Sequence, residues 1–223
     1  MTSADRSTRA ATVAPGSPAG AGAASSPPVA QAESLAPGME PGKLGMVIFL
    51  ATDVMGFGGL LLAYAVLRVR ERVWPDPALR FDRMTASLLT FALLLSGASM
   101  GAALAAARAG RRATARRWLV ATALLGLVFL AGQAAEFRAL AVERHVGLTL
   151  DHAASLFYVI AGYHGLHVLV GGVMLGLLAS GPARAERAGP GVLEVAALYW
   201  QFVDLIWIVI FTAIYLLPPG SRG

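Results

Sequence analysis

Residues 192–217 read VLEVAALYWQFVDLIWIVIFTAIYLL, an apolar run without proline, lysine or arginine. At a helical rise of about 1.5 Å per residue it is long enough to cross a hydrocarbon core of roughly 30 Å. Lipid offers no water to backbone N–H and C=O groups, so an open-ended segment of this kind is read as a helix that satisfies them internally. Four stretches upstream read the same way, at about 44–69, 84–107, 118–140 and 153–180. All twelve prolines lie outside the five stretches: six in residues 1–42, then Pro75, Pro77, Pro182, Pro190, Pro218 and Pro219. The spans are therefore expected to be continuous rather than broken at mid-membrane. The expected fold is all-α: a membrane protein with a bundle of five transmembrane helices over residues 43–219, behind a disordered tail of residues 1–42.

Composition supports lipid as the solvent. Of 223 residues, 57% are hydrophobic and 14% charged, whereas soluble chains carry about a quarter charged residues. The net charge of +5 does not point to nucleic acid, because the arginines cluster in short groups between apolar runs. Absence of cysteine removes disulfides, iron–sulfur clusters, thiolate zinc and covalently attached c-type haem. Residues 1–42 are mainly Ala, Pro, Ser and Gly with no apolar run, so they have too little to bury to offset their ordering entropy. No apolar core follows the early arginines, so the segment does not read as a signal peptide.

Arg68, Arg70, Arg72, Arg80 and Arg83 flank the first connection, and Arg108, Arg111, Arg112, Arg116 and Arg117 crowd the second. Alternating spans place ten of the eighteen Lys and Arg on the N-terminal side. That excess, with its tight cluster in the second connection, favours a cytoplasmic N-terminus and an outside C-terminus.

Polar groups inside the spans mark where function is sought. Asp53 lies about 14 Å into the first helix, too deep to be ionised without protein, water or a headgroup beside it. It is expected to face a cleft holding headgroup or water, with a helix–helix hydrogen bond as the alternative. Gly56, Gly58 and Gly59 follow and thin that helix for close approach. Gln133 and Glu136 are three apart on one face of the third helix. In the fourth, His164 and His167 have the same spacing, with Gly171 and Gly172 beyond; interhelical hydrogen bonding suits this pair better than a metal, since no further ligands stand nearby. The fifth helix carries Tyr199, Trp200, Gln201, Asp204 and Trp207. The 4 + 3 spacing of Trp200, Asp204 and Trp207 is able to set an indole N–H beside a carboxylate. That stripe reads either as a structural seam or as a lipid or partner site.

No nucleophile–base pair, glycine-rich phosphate loop or metal cluster is visible. His145 and His152 fall in the third connection, the other two histidines on one helix, and Met46, Met55, Met84, Met100 and Met174 are scattered over three helices. The residues by themselves read as a helix bundle with a buried polar seam and no redox centre of its own.

Four stretches in order carry a family resemblance. Phe49-Leu50-Ala51-Thr52-Asp53, Gly132-Gln133-Ala134-Ala135-Glu136-Phe137, Gly162-Tyr163-His164-Gly165-Leu166-His167-Val168 and Leu198-Tyr199-Trp200-Gln201-Phe202-Val203-Asp204 together resemble the cytochrome c oxidase subunit III family, in its five-span bacterial type. The resemblance implies a subunit of a haem–copper respiratory oxidase that carries no cofactor itself, the haem and copper residing in partner subunits. It implies packing on the catalytic subunit I beside subunit II, structural phospholipid, support of proton uptake and turnover stability, and a bacterial cytoplasmic membrane. The first two spans are expected to form most of the contact with subunit I.

Two departures stand out. Asp53 replaces the family's glutamate, shortening its reach by about 1.5 Å, and Gln201 replaces the histidine of Tyr-Trp-His-Phe-Val-Asp, removing a group able to titrate near neutrality. Both also suit the subunit III-like proteins of nitric oxide reductase clusters or quinol oxidases. A transporter is a rival from another class, but transporters favour inverted repeats and interrupted helices, and five uninterrupted spans do not divide into equal halves. An unrelated membrane scaffold is the remaining alternative.

Overall fold

The computed structural model describes residues 40–70, 83–143, 152–180 and 190–216. Five long helices, α1 (Pro41–Arg70), α2 (Arg83–Arg108), α3 (Arg112–Arg138), α4 (His152–Ala179) and α5 (Pro190–Phe211), match the five expected spans. Short π-helical turns extend α3 over Ala139–Glu143 and α5 over Thr212–Leu216. Residues 1–39, most of the expected tail, lie outside the described residues, as do Arg72, Arg80 and His145.

Helices α1 and α5 each open on a proline. Proline is at home there, because the N–H it lacks has no partner in the first turn and its φ is already helical. Pro41 and Gly42 thus belong to the first helix and not to the tail.

The second connection is shorter than expected. Gly110 adopts φ of 71°, a conformation that glycine reaches without a Cβ penalty. Its N–H bonds the Ala107 carbonyl and the Arg111 N–H bonds the Ala106 carbonyl, both at 2.9 Å. This paired closure satisfies the last carbonyls of α2 and reverses the chain within three residues. In consequence α3 starts at Arg112, and Arg112, Arg116 and Arg117 lie on its first turns and not in a loop.

α5 is the centre of the bundle. It packs on α1, α2 and α4, while α3 fills the space between α2 and α4. Half of its spanning window is buried, against 11% for α1, which rests on α4 and α5. Val54, Met55, Phe91, Leu127 and Val173 are among the large apolar side chains that point outward, a surface suited to lipid or to partner helices.

One side chain ties four helices together. Trp200 of α5 is fully buried, and its indole N–H donates to Ser96 Oγ of α2 at 3.0 Å. A Cβ at Gly126 of α3 would stand 2.7 Å from the indole, and one at Gly171 of α4 would stand 2.9 Å from it. Both glycines are there because the ring occupies the space a side chain would take. Below this layer Trp207 donates to Thr90 Oγ1 at 2.9 Å.

Ionic contacts show which helix ends share a membrane face. Lys43 of α1 and Arg108 of α2 both donate to Glu194 of α5, at 2.9 and 2.7 Å. Arg116 of α3 donates to the Ala179 carbonyl that ends α4, at 2.8 Å. Successive helices therefore run in alternate directions, and the basic start of α3 lies on the same face as the start of α1.

Candidate functional site: buried polar clusters between the helices

Where one seam was expected, the described residues form separate clusters. The first joins α1, α4 and α5. Asp53, buried at 7% exposure, accepts a hydrogen bond from the Tyr163 hydroxyl at Oδ1, 2.8 Å. Its Oδ2 lies 3.2 Å from His167 Nε2 without a hydrogen-bond partner. The Tyr199 hydroxyl donates to the His167 carbonyl at 3.0 Å. Asp53 thus faces protein, making a helix–helix hydrogen bond where a cleft holding headgroup or water was expected.

His167 Nδ1 lies 2.8 Å from the Tyr163 carbonyl, and a carbonyl only accepts, so Nδ1 is the donor in that contact.

His164 does not join His167. Fully buried, it lies among aromatic rings, with its centroid 5.0 Å from Trp207 and 5.7 Å from Phe129. Neither ring nitrogen has a hydrogen-bond partner. A separation of three residues turns a side chain by about 60° around the helix, and at a junction of several helices that is enough to select different neighbours. Among the described residues no group of three His, Asp or Glu side chains is placed to hold a metal.

The second cluster joins α3 to the end of α5. Tyr215 donates to both Glu136 carboxylate oxygens, at 3.1 and 3.0 Å, and Gln133 Nε2 approaches Glu136 at 3.4 Å. The third lies between α2 and α5: Gln201 Nε2 donates to the Gly97 carbonyl at 3.0 Å, and a Cβ on Gly97 would collide with the Asp204 carboxylate. The indoles of Trp200 and Trp207 donate to Ser96 and Thr90, so the expected pairing of an indole with Asp204 does not form. The hydroxyls of α2 sit level with the rings and reach them first.

Of the glycines expected at helix contacts, Gly171 is one and Gly56 lies beneath Tyr163, whose hydroxyl would be 3.6 Å from an added Cβ. Gly58, Gly59 and Gly172 meet nothing within 4 Å, because they face away from the rest of the bundle. The contacts that need glycine inside the chain include Gly97, Gly126 and Gly132, the last beneath Leu89. Tyr163 and Tyr215 were not among the expected site residues. Tyr163 is signalled by its place four residues before His167, on the same face; nothing local signals Tyr215.

Comparison with known proteins agrees with this arrangement of spans and motifs. The family model described as cytochrome c oxidase subunit III matches residues 33–218. The chain is 33% identical over 177 residues to cytochrome c oxidase subunit 3 of Thermostichus vulcanus, covering 78% of this chain and 86% of the relative. It is 36% identical over 177 residues to the Synechocystis sp. protein of the same name, covering 78% of this chain and 74% of the relative. With the probable cytochrome c oxidase subunit 3 of Mycobacterium bovis it shares 34% identity over 176 residues, 77% of this chain and 86% of the relative. Five apolar helices, four motifs in family order and a match over most of the length converge: this chain belongs to the cytochrome c oxidase subunit III family.

Proposed function

We propose that the chain is the accessory subunit III of a haem–copper terminal oxidase in a bacterial cytoplasmic membrane. In this reading it packs on the catalytic subunit I beside subunit II, retains phospholipid, and supports proton uptake and stability during turnover. Haem and copper are held by the partners, and this chain adds no catalytic centre. Its N-terminus is cytoplasmic, with Lys43, Arg108, Arg112 and Arg116 on the inner face, as the charge rule favours.

The observation that carries this proposal is α1. Only 11% of its spanning window is buried, and Gly58 and Gly59 open outward with nothing within 4 Å. Small residues on an outward face let a second helix approach closely. α1 therefore presents a ready contact to a partner subunit, while Asp53 anchors it to α4 from within.

Purifying the tagged chain in mild detergent tests the reading. Haem absorbance should accompany the chain, and a haem-free monomer would reject the proposal. When the chain is then dissociated, haem and copper should stay with the depleted complex; stoichiometric metal on this chain would overturn its non-redox role. The departures at Asp53 and Gln201 also suit a quinol oxidase or a nitric oxide reductase cluster. Assaying the co-purified complex with reduced cytochrome c, quinol and nitric oxide separates these. Gly59→Leu should lower recovery of the complex, whereas unchanged recovery would remove that face from the interface.

A further inference from the structure

Arg116 and Arg117, both exposed on the first turns of α3, have no acidic partner among the described residues. Of the acids described on that membrane face, Glu194 is taken by Lys43 and Arg108, and Glu40 lies against Gly191 at the start of α5. The first turn of α3 holds no acid either. Arg116 is fixed in place, because its Nε donates to the Ala179 carbonyl at the end of α4, 2.8 Å away. Its terminal guanidinium nitrogens remain for a group outside the chain.

Below Arg116 the two helices part. Gly162, Gly165, Gly172 and Gly176 fall on one stripe of α4 at spacings of 3, 7 and 4. A Cβ at the first two would meet Phe137 and Leu130 of α3, at 4.0 and 3.9 Å, whereas the last two meet nothing within 4 Å. The seam is thus closed at Leu130 and open towards Arg116. That open stretch covers fourteen residues of α3, about 21 Å, enough for one leaflet's acyl layer of roughly 15 Å.

Depth and width select the occupant. α3 with its extension spans 31 residues, about 46 Å, against a hydrocarbon core of about 30 Å. Roughly 8 Å therefore projects at each end, and Arg116, about 6 Å from the start of α3, lies level with lipid phosphates. A partner helix about 10 Å across is too wide to enter a seam whose walls touch at Leu130 and Gly165; an acyl chain is not. A zwitterionic headgroup would bring its own cation to the two arginines, whereas an anionic one would not.

We propose that the α3–α4 seam binds an anionic phospholipid, its phosphate on Arg116 and Arg117 and one acyl chain over Gly172 and Gly176. The inference rests on phospholipid retention in the proposed function, to which it gives a place and a charge.

The test uses the purified complex in phosphatidylcholine nanodiscs, doped with phosphatidylglycerol or phosphatidylcholine carrying the same acyl diazirine. After irradiation, adducts are mapped by peptide mass spectrometry. Those on the α3 segment 120–130 should be several-fold more abundant with phosphatidylglycerol. Each arginine neutralised, as in Arg116→Gln or Arg117→Gln, should lower that preference about fivefold, the equivalent of about 1 kcal/mol per charge. Arg117→Gln leaves the Arg116–Ala179 bond intact and so separates charge from folding, and Arg117→Lys should keep the preference. Gly176→Leu, pointing into open space, should displace the chain and reduce adducts on the segment. Equal labelling by both lipids, a preference indifferent to Arg117→Gln, or a segment shielded from both lipids by another polypeptide would each overturn the proposal. Inorganic phosphate should not compete against chloride of equal ionic strength; competition would make this a free-anion site and also overturn it. Haem co-purification is read separately: haem without the lipid preference rejects this site alone, and the preference without haem rejects the oxidase assignment alone.

Discussion

Trp200→Ala is expected to destabilise the folded chain by about 3–5 kcal/mol, the range for truncating a large buried aromatic side chain. The reason lies in the ring's surroundings: it is fully buried, is enclosed by Gly126 and Gly171, and makes the hydrogen bond that satisfies its N–H at Ser96. Alanine would leave a void bounded by four helices whose spacing is set by that ring. The converse change probes the same socket. Gly171→Ala places a Cβ 2.9 Å from Trp200 and from Tyr199, and overpacking of this kind costs about 1–3 kcal/mol. Thermal unfolding of the purified complex, followed by size-exclusion recovery after heating, measures both. Trp118→Ala is the control, since Trp118 is 42% exposed and its loss should change recovery little. Equal effects at Trp118 and Trp200 would contradict the socket.

At Asp53, the identity of the replacement should matter more than the loss of charge. Asparagine has the same shape, and its carbonyl can accept from Tyr163 as Oδ1 of Asp53 does. The fold and the co-purification of haem should therefore survive Asp53→Asn. Leucine offers no acceptor, and each buried polar group left without a partner costs about 1–3 kcal/mol. Asp53→Leu should thus reduce recovery where Asp53→Asn does not. If the cluster supports turnover as proposed, Asp53→Asn should begin with normal activity and lose it faster during sustained oxygen reduction.

Residues 192–217 and their four counterparts show how much is readable along the chain. Lipid leaves a backbone only one open-ended solution, so hydropathy and proline placement suffice to find five helices and nearly all their ends. The first turns of α3 escaped that reading, because arginine at the membrane surface looks the same in a loop and in a helix. Only Gly110, with its positive φ, separates the two. Polar residues inside the spans were equally visible, since Asp53, Gln133, Glu136 and Asp204 have no reason to be in hydrocarbon without a partner.

What each of them touches was decided by tertiary structure. Asp53 meets Tyr163 and His167 across 110 or more positions of sequence, while His164, three residues from His167, turns into an aromatic core. The indoles of α5 find hydroxyls on α2 more than a hundred residues earlier. Periodicity assigns a side chain to a face of its own helix but does not state which helix lies opposite. That depends on how the four other helices are ordered and rotated about α5, where Trp200, Gly126 and Gly171 pack closely. The sequence alone determined that this chain spans the membrane five times and where its polar groups lie; packing determined their partners, because hydrogen bonds act over about 3 Å and only the assembled bundle brings distant residues that close.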